Sequence, residues 1–138
     1  MARQFTLGKN ERLKSRKQIE QLFTGGKNFH FAPFRVFYYS SPFIDQHSLS
    51  ILQFGVGVSG KNFKRAVDRN RIKRLTREVY RLQKQELQTA LKQKKLHLNI
   101  FIIYTGKEMP EFNIIREKLN VILNKLIKII HETISPDT

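Results

Sequence analysis

The residues best able to do chemistry in this chain are the lysines and arginines between Lys61 and Arg77. This segment reads KNFKRAVDRNRIKRLTR and contains eight basic residues and a single acid, Asp68. Eight minus one gives +7, close to half of the net charge of +15. Charges this close together repel one another unless a polyanion lies against them, and lysine and arginine bind nucleic acid by displacing the counterions on its phosphates. The segment therefore predicts a phosphate-binding surface.

A helical reading of this segment separates its charges from its apolar residues. At 100° per residue, the apolar side chains form one stripe, made of Ile72, Leu75, Val79 and Leu82. The polar side chains lie opposite, with Arg69 and Arg71 at the flanks: Asn70, Lys73, Arg74, Arg77, Arg81 and Lys84. Like charges four residues apart destabilise a helix by a few tenths of a kcal/mol. Because a purely structural helix would contain more acids, this pattern favours a binding role.

Aromatic residues supply the second candidate chemistry. In the predicted strand from Phe34 to Tyr39, Phe34 and Val36 point to one face and Phe37 to the other. Both faces are not equally buried in a small two-layer domain, so one aromatic set is a candidate platform for stacking single-stranded bases, at roughly 1–3 kcal/mol per base. In the next predicted strand, Gly55 and Gly57 put two bare positions on one face, where a backbone or a ligand could approach closely.

Catalytic and metal-binding patterns are not apparent in the sequence. The four histidines are scattered, and the eleven acids do not cluster as a two-metal nuclease needs. Cysteine is absent, which excludes disulfides and thiolate metal sites. Asp68 is expected to stabilise the start of the basic helix or to orient an arginine. We expect no catalytic residue and assign no metal ligand to the protein itself; metal binding by Asp68 is the less favoured alternative, since hard cations need several oxygen ligands.

The composition predicts a single domain spanning residues 1–138. Its 40% hydrophobic content suffices for a core, and no secretory signal or membrane-length apolar run is visible. We therefore expect a cytoplasmic protein without a membrane partner. The first fourteen residues are basic and lack a hydrophobic period, so they are expected to be flexible.

The predicted elements alternate between helices and strands. A helix opens at Ser15 and ends at Gly25-Gly26, where glycine favours a helix end. The remaining predictions are strands at 34–39, 49–58 and 98–104 and helices at 63–94 and 111–134. The apolar run at 98–104 predicts a buried strand. This order implies a sheet covered by helices.

The basic segment and the strand before it resemble the bacterial ribonuclease P protein subunit. The resemblance is carried by Phe54-Gly55-Val56-Gly57-Val58-Ser59, Ala66-Val67, and Arg69-Asn70-Arg71-Ile72-Lys73-Arg74-Leu75 followed by Arg77. Upstream, Arg12-Leu13-Lys14 and the helix end at Phe23 to Gly26 also match the opening of that family. The chain departs from the pattern between Ser59 and Ala66: Gly60 stands where the family often has lysine, and the connection is one residue longer.

The resemblance implies an α+β fold, a small two-layer α/β sandwich of order αβββαβα, with the basic helix in a left-handed βαβ crossover. It also implies a non-catalytic subunit whose partners are a catalytic RNA and precursor tRNA, with no obligate protein partner. Such a complex removes the 5′ leader of precursor tRNA, and the RNA holds the Mg²⁺.

Two sets of site residues follow from the resemblance. The set expected to face the RNA subunit is Lys61, Lys64, Arg65, Arg69, Asn70, Arg71, Lys73, Arg74 and Arg77. The set expected to line a leader-binding cleft between the first helix and the sheet is Phe23, Phe34, Phe37, Gly55 and Gly57. The glycines are expected to leave room for a ribose-phosphate chain.

Three other functions remain open from the residues alone. A ribosomal-type RNA-binding protein would share the basic helix, though not the Arg-Asn-Arg context. A DNA-binding regulator would place a short helix and a tight turn before the basic helix, whereas a strand precedes it here. A nuclease acting without RNA would need the carboxylate cluster that the sequence lacks.

Overall fold

The computed structural model describes residues 12–13, 15–42 and 51–132. Within these residues the chain forms helices and strands in the order α1 (Arg16–Gly25), β1 (Lys27–Phe31), β2 (Phe34–Pro42), β3 (Leu52–Val58), α2 (Ala66–Gln83), α3 (Gln85–Lys94), β4 (Leu96–Tyr104) and α4 (Phe112–Glu132). This is the α+β architecture that the sequence predicts. No helix in the described part of the chain is both long enough and apolar enough to cross a membrane.

The four strands form one mixed sheet in the order β1-β2-β4-β3. β1 pairs with β2 and β2 with β4 in antiparallel fashion, whereas β3 and β4 run parallel. Parallel neighbours need a crossover connection, and here α2 and α3 supply it. The basic helix therefore lies in a βαβ crossover, as expected.

The two faces of the sheet differ in what covers them. On one face, residues such as Val36, Phe54 and Ile100 are buried in a core shared with α2, α3 and α4. We call the opposite side the open face. It carries Arg35, Phe37, Tyr39, Gly55, Gly57, His97, Asn99, Phe101 and Ile103. α1 contacts the sheet through β2 and β4 and lies against this open face.

The first helix forms as predicted. Ser15 is its N-cap, and the Ser15 hydroxyl accepts a hydrogen bond from the backbone N–H of Gln18. The Gly26 N–H donates to the carbonyl of Leu22 at the other end. Leu22 is buried and fixes this helix against the sheet.

The helix predicted over 63–94 differs from the structure in two ways. It begins at Ala66, and it is divided at Lys84 into α2 and α3. Lys84, expected on the exposed polar side, is only 2% exposed, whereas Leu82, expected in the buried stripe, is 49% exposed. Both differences arise because the buried side of the helix is turned from the predicted stripe toward Tyr80. The Tyr80 ring stacks on that of Phe54, with centroids 3.8 Å apart.

The strands also contain two departures from expectation. β1 was not located in the sequence, although Phe29 and Phe31 alternate with exposed polar residues and pack on the core. β4 is fully buried on one face only, since its burial alternates along Leu96–Tyr104. Two predicted ends lie outside the described residues. They are positions 49–50 of the strand predicted at 49–58 and positions 133–134 of the helix predicted at 111–134.

The N-terminal segment expected to be flexible lies outside the described residues except for Arg12 and Leu13. Leu13 is buried, and its N–H donates to the carbonyl of Phe54 at 2.9 Å. Arg12 forms a parallel bridge with Phe54. These two residues therefore lie along the β3 edge of the sheet.

Candidate nucleic-acid interface

The basic residues of α2 and the preceding loop form a charged surface that no ion pair among the described residues neutralises. We define the basic ridge as Lys61, Lys64, Arg65, Asn70, Arg71, Lys73, Arg74 and Arg77. All are exposed except Lys73, which is half-buried. None of its cations makes an ion pair with another described residue, whereas Arg81 farther along α2 pairs with Glu78. Among the described residues nothing neutralises the ridge, which therefore presents positive charge suited to an external anion.

Arg69 behaves differently from the ridge residues. Its Nη1 donates to the carbonyls of Phe63 and Lys64, both at 2.8 Å. The N-cap residue Arg65 makes no side-chain capping bond, so Arg69 is the side chain that holds the loop to the start of α2. Part of the guanidinium expected to contact RNA is thus used inside the protein.

Asp68 lies in the first turn of α2. A carboxylate there is stabilised by the positive end of the helix dipole. It makes no ion pair with a described arginine, so of the two roles expected for it the structure supports stabilisation of the helix start.

Arg12 adds a cation to the ridge from outside α2. Burial, and then the positive charge of Arg12, lowers the pKa of Arg77. Two guanidinium groups that repel each other, with no described acid paired to either, form a suitable place for a phosphate. Arg12 is absent from the binding set predicted from the sequence, although Arg12-Leu13-Lys14 carries part of the resemblance. In the structure the buried Leu13 beside it ties this segment to the sheet.

Three phenylalanines form a cluster between α1 and the open face, which we call the aromatic groove: Phe23, Phe37 and Phe101. The Phe23 ring lies 4.8 Å from that of Phe37 and 5.5 Å from that of Phe101, measured between centroids. Phe23 is 44% exposed. Arg35 lies over Phe37 at 5.6 Å from the ring centroid and adds a cation at this groove. The leader-binding set predicted from the sequence does not contain Phe101, although the alternation of side chains along β4 could have placed it on this face.

Phe34 is not part of the aromatic groove. It is 0% exposed and packs edge-on against Tyr104 on the core side of the sheet. The prediction that Phe34 lies beside Phe37 in the cleft is wrong, because residues three apart on a strand point to opposite faces.

Gly55 and Gly57 lie beneath Phe101 on the open face. A Cβ on Gly55 would lie 2.7 Å from Cδ2 of Phe101 and 3.0 Å from the carbonyl oxygen of Leu13. A Cβ on Gly57 would lie 3.1 Å from Cε1 of Phe101. The space above both glycines is filled by the protein's own ring, which corrects the expectation that it admits a ribose-phosphate chain.

Within the part of the chain that the structure describes, no group of three or more histidine, aspartate or glutamate side chains is arranged to hold a metal ion. The chemistry that this surface offers is therefore electrostatic attraction by the basic ridge and stacking in the aromatic groove.

A protein-family model described as Ribonuclease P matches residues 7–127. The chain belongs to the ribonuclease P protein family. The match includes the basic ridge, Arg12 and the three rings of the aromatic groove.

Similar proteins agree with this membership. The ribonuclease P protein component of Porphyromonas gingivalis is 36% identical over 115 residues, which cover 83% of this chain and 82% of that protein. The ribonuclease P protein component of Chlorobium phaeobacteroides is 32% identical over 128 residues and 88% of each chain. The solved RNase P protein of Thermotoga maritima has a TM-score of 0.63 at 26% identity, covering 83% of this chain and 96% of that one. The resemblance seen in the sequence and the α+β fold are both confirmed.

Proposed function

We propose that this protein is the RNA-binding subunit of a ribonuclease P whose catalytic RNA removes the 5′ leader from precursor tRNA. The observation that carries the proposal is the basic ridge. Its cations have no partner among the described residues, and they occur in the segment that matches the ribonuclease P family. A phosphate backbone is the polyanion that such a surface binds.

The basic ridge contacts the RNA subunit in this proposal. Arginine predominates there, and its planar guanidinium can donate two parallel hydrogen bonds to phosphate oxygens. Arg12 and Arg77 provide one such place together, because their mutual repulsion is relieved when a phosphate lies between them.

The aromatic groove binds the leader. Exposed rings stack on bases of any sequence, which suits a leader whose sequence varies between precursors. Arg35 lies beside Phe37 and can neutralise a leader phosphate. Phe23, Phe37 and Phe101 replace the predicted set that contained Phe34.

The bond-breaking step belongs to the RNA and its Mg²⁺, which supply a metal-bound water for phosphodiester hydrolysis. The protein contributes by lying between two polyanions and reducing their repulsion. It therefore lowers the Mg²⁺ concentration that cleavage requires and favours substrates that carry a leader.

Charge reversal tests this function. The double substitution Arg71→Glu/Arg74→Glu should abolish assembly with the RNA subunit, because two exposed phosphate contacts become repulsive. Lys92→Glu/Lys128→Glu makes the same change in net charge at exposed positions outside the ridge and should leave assembly nearly intact. Assembly is measured by filter binding, and cleavage of precursor tRNA is measured at low Mg²⁺. Equal losses in both variants, or cleavage by the protein without RNA, would contradict the proposal.

A further inference from the structure

The helix α1 crosses the open face and leaves a groove on each side. At 100° per residue, Phe23 lies on one side of the buried Leu22, whereas Gln18, Gln21 and Gly25 lie on the other. The first side forms the aromatic groove. The second side faces Tyr39 and Asn99 and encloses about 450 Å³. We call this second space the amide groove, and the function proposed above does not use it.

The amide groove is lined by neutral hydrogen-bonding groups. Among the described residues, no charged side chain lines it. The side chains of Gln18 and Gln21 make no hydrogen bond to another described residue. The Oδ1 of Asn99 lies 2.8 Å from Nε2 of His97, which leaves the NH2 group of Asn99 for another partner. Three carboxamides therefore present unused donors and acceptors to one space.

An aromatic ring and an apolar floor complete the groove. Tyr39 is 52% exposed, and Leu22 beneath α1 is buried. A ring beside carboxamides can hold a flat ligand that stacks on one side and offers donors and acceptors at its edge. Nucleobases have these two properties, and glutamine and asparagine recognise base edges by paired hydrogen bonds.

We propose that the amide groove binds one unpaired RNA base, which stacks on Tyr39 and is recognised at its edge by Gln18, Gln21 and Asn99. The proposal rests on the ribonuclease P function above, and it adds a base-reading site to a surface that otherwise binds phosphates and stacks bases. The base comes from the precursor leader or from an unpaired position of the RNA subunit. Because the lining is neutral, this contact is insensitive to salt, unlike those of the basic ridge.

The double substitution Gln18→Ala/Gln21→Ala tests the groove in the assembled holoenzyme. Alanine preserves the helix, and the loss of two base contacts should weaken binding about tenfold. Gln93→Ala is the matched control, because Gln93 is also an exposed helical glutamine without a hydrogen bond to a described residue. The ratio of wild-type to variant affinity should be the same at low and high salt.

Two arms of the experiment identify the source of the base. If the base belongs to the leader, the tenfold loss disappears when the precursor leader is shortened to a single nucleotide. If it belongs to the RNA subunit, the loss appears in binding of the RNA subunit alone. A double variant that matches Gln93→Ala in both arms would overturn the proposal. The charge-reversal variants would still fail to assemble in that case, so the two proposals fail separately.

A direct observation comes from the side-chain amide NMR signals of the free protein. Addition of a short single-stranded oligoribonucleotide should shift the signals of Gln18, Gln21 and Asn99, and Tyr39→Leu should reduce these shifts. The signal of Gln93 should not move. Unmoved signals in the groove, with shifts confined to the basic ridge, would contradict the assignment.

Discussion

At the scale of single residues, Arg69 and its neighbours in the Arg-Asn-Arg motif have different tasks. Arg71 and Asn70 are exposed on the ridge, whereas Arg69 donates to two carbonyls of the loop before α2. A guanidinium bonded to the backbone organises the ridge even if its remaining donors also reach RNA. The same motif thus contributes to folding and, in the function proposed above, to binding.

Arg69→Ala should therefore lower the stability of the free protein, whereas Arg71→Ala should not. Loss of two charge-assisted hydrogen bonds at a half-buried position is expected to cost about 1 kcal/mol. The free energy of unfolding of both variants is measured by urea titration without RNA. Equal stability of the two variants would show that the Arg69 bonds contribute nothing in solution.

Gly55 also acts at the residue scale, because its missing side chain determines where Phe101 lies. Gly55→Ala places a methyl group 2.7 Å from the Phe101 ring and 3.0 Å from the Leu13 carbonyl oxygen. The resulting overpacking is expected to cost about 1–3 kcal/mol. Gly60→Ala is the control, since nothing lies within 4 Å of the added Cβ. Thermal unfolding compares the two; an unchanged transition for Gly55→Ala would contradict the packing described.

At the scale of elements, the β3 edge of the sheet holds the segment Arg12-Leu13 as well as α2. Arg12 bridges to Phe54, and Tyr80 of α2 stacks on the same residue. Burial of the Arg77 side chain, and then the Arg12 charge that this arrangement places nearby, lowers the pKa of Arg77, so folding disfavours its charged form. In the function proposed above, an RNA phosphate relieves this repulsion.

Arg77→Gln should accordingly stabilise the free protein while weakening RNA binding. It removes repulsion from Arg12 and from Lys73 and Arg81, each four residues away along α2. The gain is expected to be about 0.5 kcal/mol, or about 2 °C in the unfolding midpoint. Arg74→Gln is the control, because Glu78 lies four residues from it and no such gain is expected. Calorimetry gives the unfolding midpoint of both variants, and their RNA binding is measured in parallel. A midpoint of Arg77→Gln below that of the wild type would refute the repulsion argument.

At the scale of the whole molecule, a net charge of +15 on 138 residues makes RNA binding depend strongly on salt. If six phosphates are neutralised, affinity for the RNA subunit should fall about a thousandfold between 50 and 200 mM monovalent salt. Binding isotherms over this range give the slope of log affinity against log salt concentration. A slope near zero would mean that the basic ridge does not lie against the RNA backbone.

The class of the fold, the position of the charge and the family could all be inferred from the amino-acid sequence. Charge density, periodicity and the Arg-Asn-Arg context are local properties, so the basic helix and the aromatic strand at Phe37 could be predicted. The first helix was also predictable, since Ser15 and Gly26 carry their own capping signals.

Which side chains are open to a ligand and which pack against the protein depends on long-range contacts, so it had to be read from the fold. Phe101 covers Gly55, which is distant from it in sequence. Arg69 bonds to the loop before α2, and Lys84 is buried at the break between α2 and α3; periodicity marks neither junction. The amide groove is of the same kind: Gln18 and Gln21 acquire a common task with Tyr39 and Asn99 only when α1 lies across the sheet.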